Sequence, residues 1–358
     1  CSSDLQPMLA GQVFKNVPAM KDLPVDTFMQ TMGIFSASLG MSCGDCHQGK
    51  DNNWDGFAED NPRKRKTRTM IAMMKKINDE NFAGRQLVTC YSCHRTADAP
   101  RNVVNFTELY GFVPPDPNAV VTQSPAAPKP DEVFDKYLAA VGGTQRAAAL
   151  TSFTATGANM GYGPEGAQDK RPLEIYAKPN QRAVIVKTTN GTSTTTYDGR
   201  VGWVAAPLRP VDVMQLVGQE AEGLKIEAAL MFPSQVKQLA ARWRVGNATT
   251  IDDRDQWMVQ GNTPTGIILS LYFDQQTGLL TRSVRYTESP VGRIPTQVDY
   301  SDYREVAGVK LPHKYLLWWV DGRDSFELTT ITPNVNIDAA RFNKPAPSSA
   351  SAPRAGAR

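Results

Sequence analysis

The chain has 358 residues, 41% hydrophobic and 21% charged, a composition typical of two ordinary globular domains and not of a disordered chain. Lysine and arginine number 39 and aspartate and glutamate number 36, so the net charge of +3 excludes the broad basic surface of a general nucleic-acid-binding protein. No apolar run reaches the length of about 18 residues that a transmembrane helix needs.

The first residue is a cysteine, in the sequence CSSDL. This start resembles a bacterial lipoprotein after removal of its signal peptide, and it predicts that Cys1 carries lipid on its sulfur and its amino group. Two or three acyl chains anchor a protein stably to a membrane, and Ser2 in place of an aspartate favours an outer membrane. A chance cysteine at a truncated start and a free thiol are the alternatives.

Composition divides the chain into four predicted segments. Residues 1–113 contain all five cysteines and methionine-rich helical patterns. Residues 114–130 are rich in proline and alanine without periodicity, which predicts a semi-stiff linker. Residues 131–343 contain no cysteine and consist mainly of strand patterns, and residues 344–358 form a low-complexity basic tail that we expect to be disordered.

Two long helices are predicted in the first segment. One runs from Pro24 to Leu39 on an apolar stripe with a helical period, and Gly40 can close it in a left-handed conformation. The other starts at Asn61, which caps the helix, and Pro62, which fills its first turn. Each helix leads into a pair of cysteines. Methionines recur on both stripes: Met29 and Met32 in the first helix, and Met70, Met73 and Met74 in the second.

The third segment opens with a helical pattern from Val133 to about Ala140, and short strands with turn signals follow, including an Asn190–Gly191 hairpin signal. Helical patterns return at residues 211–219 and 233–243. Alternation of apolar and polar residues in the strands predicts an antiparallel sheet with one solvated face. The predicted fold class is therefore α + β multidomain: a mainly α-helical domain, then an antiparallel half-barrel with helices on its concave face.

Both cysteine pairs are followed directly by histidine, as Cys43-Gly-Asp-Cys46-His47 and Cys90-Tyr-Ser-Cys93-His94. This C-x-x-C-H pattern is the signature of covalent c-type haem, in which two thiols attach to the porphyrin and the histidine binds iron. A zinc site of four thiolates explains the cysteines, but not why two of only three histidines follow them. A thioredoxin-like redox pair lacks its strand and helix pattern here. The sequence therefore predicts two haem c groups.

The sixth iron ligand is only partly determined by the sequence. With His47 and His94 used, His313 is the only other histidine, so two bis-histidine haems are impossible. Met32 lies eleven residues before Cys43 on an apolar stripe, and we expect it to bind the first iron rather than only pack in a core. For the second iron the candidates are Met70, Met73, Met74 and, as an outside possibility, His313.

Residues 12–96, with IFSASLGMSCGDCH and VTCYSCHR among their motifs, resemble the cytochrome c subunit of bacterial photosynthetic reaction centres and its shorter dihaem relatives. The resemblance implies that a methionine on the helix before a haem motif supplies the sixth ligand, and Met32 occupies that position. The family's four-haem members supply a histidine to the second site from an earlier repeat, which is missing here, so Met73 is our choice. The family tends to have glycine after CHR, where this chain has Thr96.

Residues 130–343 loosely resemble periplasmic lipoprotein-carrier proteins through YFDQQTGLLTRSVRY and YSDYREVAGVKLPHKY. This implies an incomplete antiparallel barrel, and a likeness of fold does not transfer the carrier activity. The basic run from Arg63 to Lys66, with Arg68, is a solvated helix start, a docking patch for an acidic partner, or a set of cations for haem propionates. Arg68 is the best propionate candidate, because it lies about one turn from Met70 to Met73.

Together these patterns predict a membrane-anchored dihaem cytochrome that carries single electrons between a protein donor and a protein acceptor, and no enzyme. We expect a bacterial periplasmic or cell-surface location and a place in a larger membrane-associated redox complex, photosynthetic or respiratory. The alternative is a structural, assembly or lipid-binding lipoprotein in which the haem domain is accessory. A ligand-sensing haem protein with an open iron site is a further reading.

Overall fold

The structure is a computed structural model, and it describes residues 6–49, 54–111, 121–162 and 168–348. The chain divides into two compact units. The helical unit comprises Met8–Val121 together with Glu288–Ile294, and the sheet unit comprises Thr122–Thr287 and the chain from Pro295 onward. Cys1, residues 114–120 of the predicted linker and residues 349–358 of the predicted tail lie outside the described residues.

The described residues of the helical unit form short and long helices joined by tight turns. They are α1 (Ala10–Val13), α2 (Val25–Leu39), α3 (Cys43–Cys46), α4 (Pro62–Phe82), α5 (Cys90–His94) and α6 (Phe106–Tyr110), with a 3₁₀ turn at Asp55–Ala58. Among the described helices of the whole chain, none combines the length and the apolar character that a membrane span requires.

The predicted end of the first long helix and the predicted start of the second are confirmed, and the first helix starts one residue later than predicted. Gly40 follows α2 with a left-handed backbone at φ 63°, and its N–H donates to the Ser36 carbonyl. The Asn61 side chain accepts a hydrogen bond of 3.0 Å from the backbone N–H of Lys64 at the start of α4. Pro24 is the N-cap residue of α2, one position before the first helical turn.

Helix α2 packs against α5 within the helical unit. The backbone N–H of Thr96, just after α5, donates to the Ser38 carbonyl at 3.0 Å. A Cβ atom on Gly40 would lie 2.4 Å from the Thr96 carbonyl oxygen, so this close approach requires glycine. The end of the first long helix and the second cysteine segment are therefore joined by backbone contacts.

In the sheet unit the described strands form one thirteen-stranded antiparallel sheet. Its strands are β1 (Phe153–Tyr162), β2 (Gln168–Lys178), β3 (Gln181–Thr188), β4 (Gly191–Tyr197), β5 (Gly202–Ala205), β6 (Met214–Leu216), β7 (Trp243–Ile251), β8 (Arg254–Asn262), β9 (Ile268–Asp274), β10 (Leu280–Ser289), β11 (Gly292–Val306), β12 (Val309–Trp319) and β13 (Gly322–Pro333). Their order is β6-β5-β4-β3-β2-β1-β13-β12-β11-β10-β9-β8-β7, so two meanders meet where β1 pairs with β13. The sheet is open, and its edges are β6 and β7.

Helices and 3₁₀ turns supply the rest of the sheet unit's core. They are α7 (Pro130–Ala140), α8 (Thr144–Ala149), α9 (Gly218–Leu230), and 3₁₀ turns at Pro233–Leu239 and Ala339–Phe342. Phe134 of α7 lies edge-on to Phe273 of β9, with ring centroids 5.7 Å apart. Ile226 of α9 belongs to the same buried cluster, so both helices cover the apolar side chains of the sheet.

Two local predictions in the third segment were wrong. Residues 211–219 are not a helix, because Met214–Leu216 pair with β5 as strand β6, and α9 begins only at Gly218. The hairpin between β3 and β4 turns one residue earlier than predicted, since Thr188 pairs with Gly191. At the coarser level, helices in the amino-terminal part and an open antiparallel sheet in the rest agree with the predicted fold class.

Candidate haem-attachment sites

The first cysteine pair lies on a single helical turn, α3. Ser42 caps the turn, and its backbone N–H and its hydroxyl each donate to Asp45 Oδ2 at 2.8 Å. These hydrogen bonds hold the pKa of Asp45 below its usual value. The thiols of Cys43 and Cys46 are unbridged by any disulfide and sit one turn apart. The motif therefore forms a preorganised turn that presents two thiols.

His47 follows this turn and is oriented by Phe57. The Nδ1–H of His47 donates to the Phe57 carbonyl at 3.1 Å, and the two rings stack with centroids 4.6 Å apart. A carbonyl can only accept, so this bond places the proton on Nδ1 and leaves the Nε2 lone pair available. Burial lowers the pKa of His47, which keeps the imidazole in the neutral form that binds metals.

The start of α4 holds this first segment together. Lys64 Nζ donates to the Phe57 carbonyl and to the Glu59 carbonyl, each at 2.6 Å. Asn61 Nδ2 donates to the Cys46 carbonyl at 2.8 Å, and Arg63 Nη1 donates to the Asp45 carbonyl at 2.9 Å. Much of the basic run therefore ties the backbone around the first motif to α4.

The second cysteine pair repeats this design on α5. Thr89 caps the turn, since its hydroxyl oxygen accepts a hydrogen bond of 3.3 Å from the backbone N–H of Ser92. In return, the Ser92 hydroxyl oxygen accepts a hydrogen bond of 3.1 Å from the backbone N–H of Thr89. The Nδ1–H of His94 donates to the Ala97 carbonyl at 3.0 Å, so here too Nε2 keeps its lone pair. Cys90 and Cys93 are also unbridged, and burial raises the pKa of the Cys90 thiol to about 11.

The connection from α4 into the second motif is fixed by Asn78, whose side chain is buried. Its Oδ1 accepts hydrogen bonds from the backbone N–H groups of Leu87 at 3.1 Å and Val88 at 2.9 Å. Its Nδ2 donates to the Val88 carbonyl at 2.7 Å. The sequence does not single out Asn78, because Asn81 on the same helix is also an asparagine and is exposed. Phe57 carries no sequence signal either.

The backbone after His94 is strained. Arg95 and Thr96 are consecutive residues with left-handed φ values of 47° and 65°. This conformation favours glycine, and a β-branched threonine adopts it only at a cost. Thr96 is the position at which the sequence departs from the glycine common in the resembling family. The left-handed backbone gives a physical reason to expect glycine at this position.

The methionine candidates differ in burial. Met32 of α2 is half-buried, as is Met70 of α4. Met74 is 6% exposed, whereas Met73 is 46% exposed. His313 is buried in β12 of the sheet unit, where its Nδ1 meets the Leu311 carbonyl at 3.0 Å. Which of these side chains binds iron stays a prediction.

Arg68 is engaged with protein groups. Its Nη1 lies 2.8 Å from Asp60 Oδ1, and its Nη2 donates to Asn16 Oδ1 at 3.1 Å. Arg65 also pairs with Asp60, at 3.1 Å. The role of Arg68 as a propionate partner stays a prediction, and the structure gives it a second role in joining the start of α4 to Asn16.

The described residues offer no zinc-type cluster. Within 6–49, 54–111, 121–162 and 168–348, no group of three or more histidine, cysteine, aspartate or glutamate side chains converges to hold a metal ion. A zinc site of four thiolates therefore does not form among them. The donor set fits haem better, since each motif presents two thiols and one imidazole nitrogen without needing a third protein ligand nearby.

Comparison with known families connects this geometry to a class of protein. The family model of the photosynthetic reaction centre cytochrome C subunit matches residues 2–155. The resemblance inferred from the motifs is thus supported, and the number of haems stays a prediction. A comparison with curated proteins finds no match.

Comparison with solved structures concerns the carboxy-terminal part. A LolA-superfamily protein from Nitrosomonas europaea is 15% identical, with 61% of this chain and 99% of that chain covered and a TM-score of 0.42. A DUF1329-family protein from Desulfovibrio piger is 12% identical, with coverage of 60% and 96% and a TM-score of 0.41. A domain from Vibrio parahaemolyticus described as an outer membrane lipoprotein-sorting protein is 9% identical, with coverage of 59% and 97% and a TM-score of 0.38.

Proposed function

We propose that this chain is a dihaem c-type cytochrome that carries single electrons between protein partners and is not an enzyme. Its similarity to the reaction centre cytochrome family over residues 2–155 supports this class. The observation that carries the proposal is the repeated orientation of two histidines, each with its Nδ1 bonded to a backbone carbonyl. Haem iron, when bound, supplies one-electron chemistry by alternating between its ferrous and ferric states.

The chain's own residues hold and tune the group. Cys43 and Cys46 in the first segment, and Cys90 and Cys93 in the second, are the attachment thiols. Each histidine's carbonyl partner fixes the ring orientation and makes Nε2 a stronger donor. Met32 and Met73 are the proposed sixth ligands, and Arg68 is the proposed propionate partner. Methionine ligation and burial raise the reduction potential relative to a bis-histidine haem.

We further propose the setting of this carrier. Lipid on Cys1 anchors the chain to a bacterial membrane, preferably the outer membrane, so that it faces the periplasm or the exterior. Its partners are a protein electron donor and a protein electron acceptor in a larger membrane-associated redox complex, and nucleic acid is not among them. The reaction centre cytochrome family, whose members are subunits of such complexes, supports this assignment.

Haem counting tests the proposal directly. The full chain is produced in a bacterium that matures c-type cytochromes, and a pyridine haemochrome assay is set against protein concentration. We expect two haems per chain. His47→Ala and His94→Ala should each change the spin state of one haem, whereas His313→Ala should change neither. A purified chain without Soret absorbance, or one that contains zinc instead, would contradict the proposal.

Substitution of single methionines tests the ligand set. Met32→Leu and Met73→Leu should each remove the methionine-to-iron charge-transfer band of one haem and leave both haems attached, because the thioethers are untouched. Met70→Leu and Met74→Leu are the matched controls on α4. If Met74→Leu removes the band and Met73→Leu does not, the second ligand is the buried methionine of α4.

The alternative function, a lipid-binding or assembly protein, has one structural feature to test. The sheet unit contains a cavity of about 60 Å³ lined mainly by apolar side chains, including Phe153, Ile175 and Phe326, with Arg182 and Glu227 also at its wall. Mass spectrometry of lipids extracted from the chain purified out of native membranes tests this reading. One stoichiometric lipid per chain beyond the Cys1 anchor would support lipid binding, and a chain without such a lipid would contradict it.

A further inference from the structure

A run of exposed apolar side chains lies just after the second cysteine motif. Val103 is 81% exposed, Val104 67%, Phe106 70%, Leu109 54% and Tyr110 80%. Single exposed apolar residues are ordinary on protein surfaces, but several within eight consecutive residues form a patch that something else covers. Residues 103–110 are called the apolar segment below.

The apolar segment is tied to the second motif by polar contacts. The backbone N–H of Arg101 donates to the Cys93 carbonyl at 2.9 Å. Glu108 of α6 pairs with Arg101 at 2.8 Å and with Arg95, the residue after His94, at 3.7 Å. The start of helix α6 within the segment is also held, because the Asn105 side chain accepts a hydrogen bond of 2.9 Å from the backbone N–H of Thr107.

Two further exposed apolar side chains lie before and within the same motif. Leu87, three residues before Cys90, is 56% exposed, and Tyr91, inside the motif, is 55% exposed. The exposed apolar side chains thus lie before, within and after the helix that bears Cys90 and Cys93 in the sequence. A covalently attached porphyrin is a large flat apolar body, and it must lie against the helix that holds it.

We infer that the apolar segment covers the haem attached to Cys90 and Cys93 and shields it from water. This inference rests on the proposed function, because it names the residues that cover one of the two proposed haems. Such an apolar patch could instead bind a protein partner or a membrane surface. The haem is favoured because Glu108 of the segment pairs with Arg95, the residue after the motif, and Arg101, two residues before the segment, bonds to the Cys93 carbonyl.

Redox titration of the full chain tests the inference. The double variant Val104→Ser/Phe106→Ser exposes the covered haem to water, which favours the more highly charged ferric state. We expect the reduction potential of one haem to fall and that of the other to stay unchanged. The control is Met8→Ser, because Met8 is an exposed apolar residue of the same unit, 42% exposed, outside the segment. It should leave both potentials unchanged.

Hydrogen exchange gives a readout that is independent of electron transfer. Amides of residues 101–111 should exchange at least several-fold faster in Cys90→Ala/Cys93→Ala than in the wild type, because the covering contact is lost. The matched control, Cys43→Ala/Cys46→Ala, lacks the other haem and should leave these amides unchanged.

Different results would overturn the proposed function and the covering role of the apolar segment. A wild-type chain without haem would overturn the proposed function. Two attached haems, with unchanged potentials in Val104→Ser/Phe106→Ser and unchanged exchange in Cys90→Ala/Cys93→Ala, would overturn only the inference. Loss of binding to anionic lipid vesicles by the same serine variant, at unchanged potentials, would assign the segment to a membrane surface instead.

Discussion

The two units of the chain differ in how they bury apolar side chains. The sheet unit buries whole clusters, in which Phe134, Ile226 and Leu271 are almost fully inaccessible to solvent. In the helical unit the long helix α4 buries only Met74 and Asn78. Ten large apolar side chains are exposed among the described residues, and all except Trp319 belong to the helical unit.

This difference indicates what each unit needs in order to fold. Burial of apolar area is the main favourable contribution to folding, and the sheet unit obtains it from its own side chains. The helical unit exposes side chains of the kind that normally fill a core, and they concentrate around the second cysteine motif. A unit of this kind is stable when an apolar prosthetic group completes its core, as two haems would.

Removal of the four thiols of the two motifs should have the largest effect on the helical unit. In the full chain carrying Cys43→Ala, Cys46→Ala, Cys90→Ala and Cys93→Ala, we expect the helical unit to lose its protection against hydrogen exchange because its core is incomplete. The sheet unit should keep its protection. A helical unit that remains protected without haem would show that the exposed apolar side chains are not part of a core.

A buried charged cluster allows a test of stability in the sheet unit. Glu227 of α9 pairs with Arg182, and its Oε1 lies 3.4 Å from Arg285 Nη2. Burial opposes ionisation of Glu227, but the two guanidinium groups hold its pKa below the usual value of 4.5. Glu227→Gln leaves two buried cations without this partner, and it should lower the free energy of unfolding by about 3 kcal/mol.

The effect of Glu227→Gln should depend on pH in one direction. Because the folded-state pKa is lowered, the contribution of Glu227 is fully present above pH 4.5 and is lost as the pH falls through the folded-state pKa. Chemical denaturation at several pH values measures this. The control is Glu327→Gln, which breaks a solvated pair with Lys314 at 3.1 Å and should change stability little. Equal losses in the two variants would contradict the assignment.

In the helical unit, which buries few apolar side chains, we expect single buried hydrogen bonds to contribute a larger share of the stability. Asn78→Ala should lower the free energy of unfolding of the helical unit by about 2 kcal/mol, because it removes the hydrogen bonds that the buried Asn78 side chain makes to the N–H and the carbonyl of Val88. The amide of Val88 should exchange faster in the variant, whereas that of Leu87 keeps its bond to the Arg85 carbonyl. Asn81→Ala is the control, since Asn81 lies on the same helix and is exposed, with one hydrogen bond to the Ile77 carbonyl. A similar change in both variants would refute the clamp.

Local signals in the sequence predicted much of this architecture, and long-range contacts limited the rest. Gly40 and Asn61 marked helix ends correctly because capping is a property of a few adjacent residues. Strand β6 was predicted as helix because its short apolar pattern fits both periods, and its pairing with β5 decided the outcome.

The same limit applies to the candidate sites. The C-x-x-C-H spacing is local, so both candidate attachment segments could be identified from the sequence. The partner of His94 lies three residues away, at Ala97, whereas that of His47 lies ten residues away, at Phe57. The orientation of His47 therefore depends on a 3₁₀ turn and on the lysine of α4 that holds it, which no local pattern encodes.

The smallest predicted effect concerns the strained turn after the second motif. Thr96 has φ 65°, its N–H donates to the Ser38 carbonyl, and its own carbonyl lies where a Cβ on Gly40 would clash. The helix contact therefore holds the turn in place despite the strain. Thr96→Gly should stabilise the helical unit by about 1 kcal/mol, because glycine adopts this conformation without the Cβ penalty. Thr96→Ala keeps a Cβ and should give no such gain, so thermal unfolding of both variants separates relief of backbone strain from loss of the threonine side chain. If glycine and alanine act alike, the left-handed conformation is not what disfavours threonine at this position.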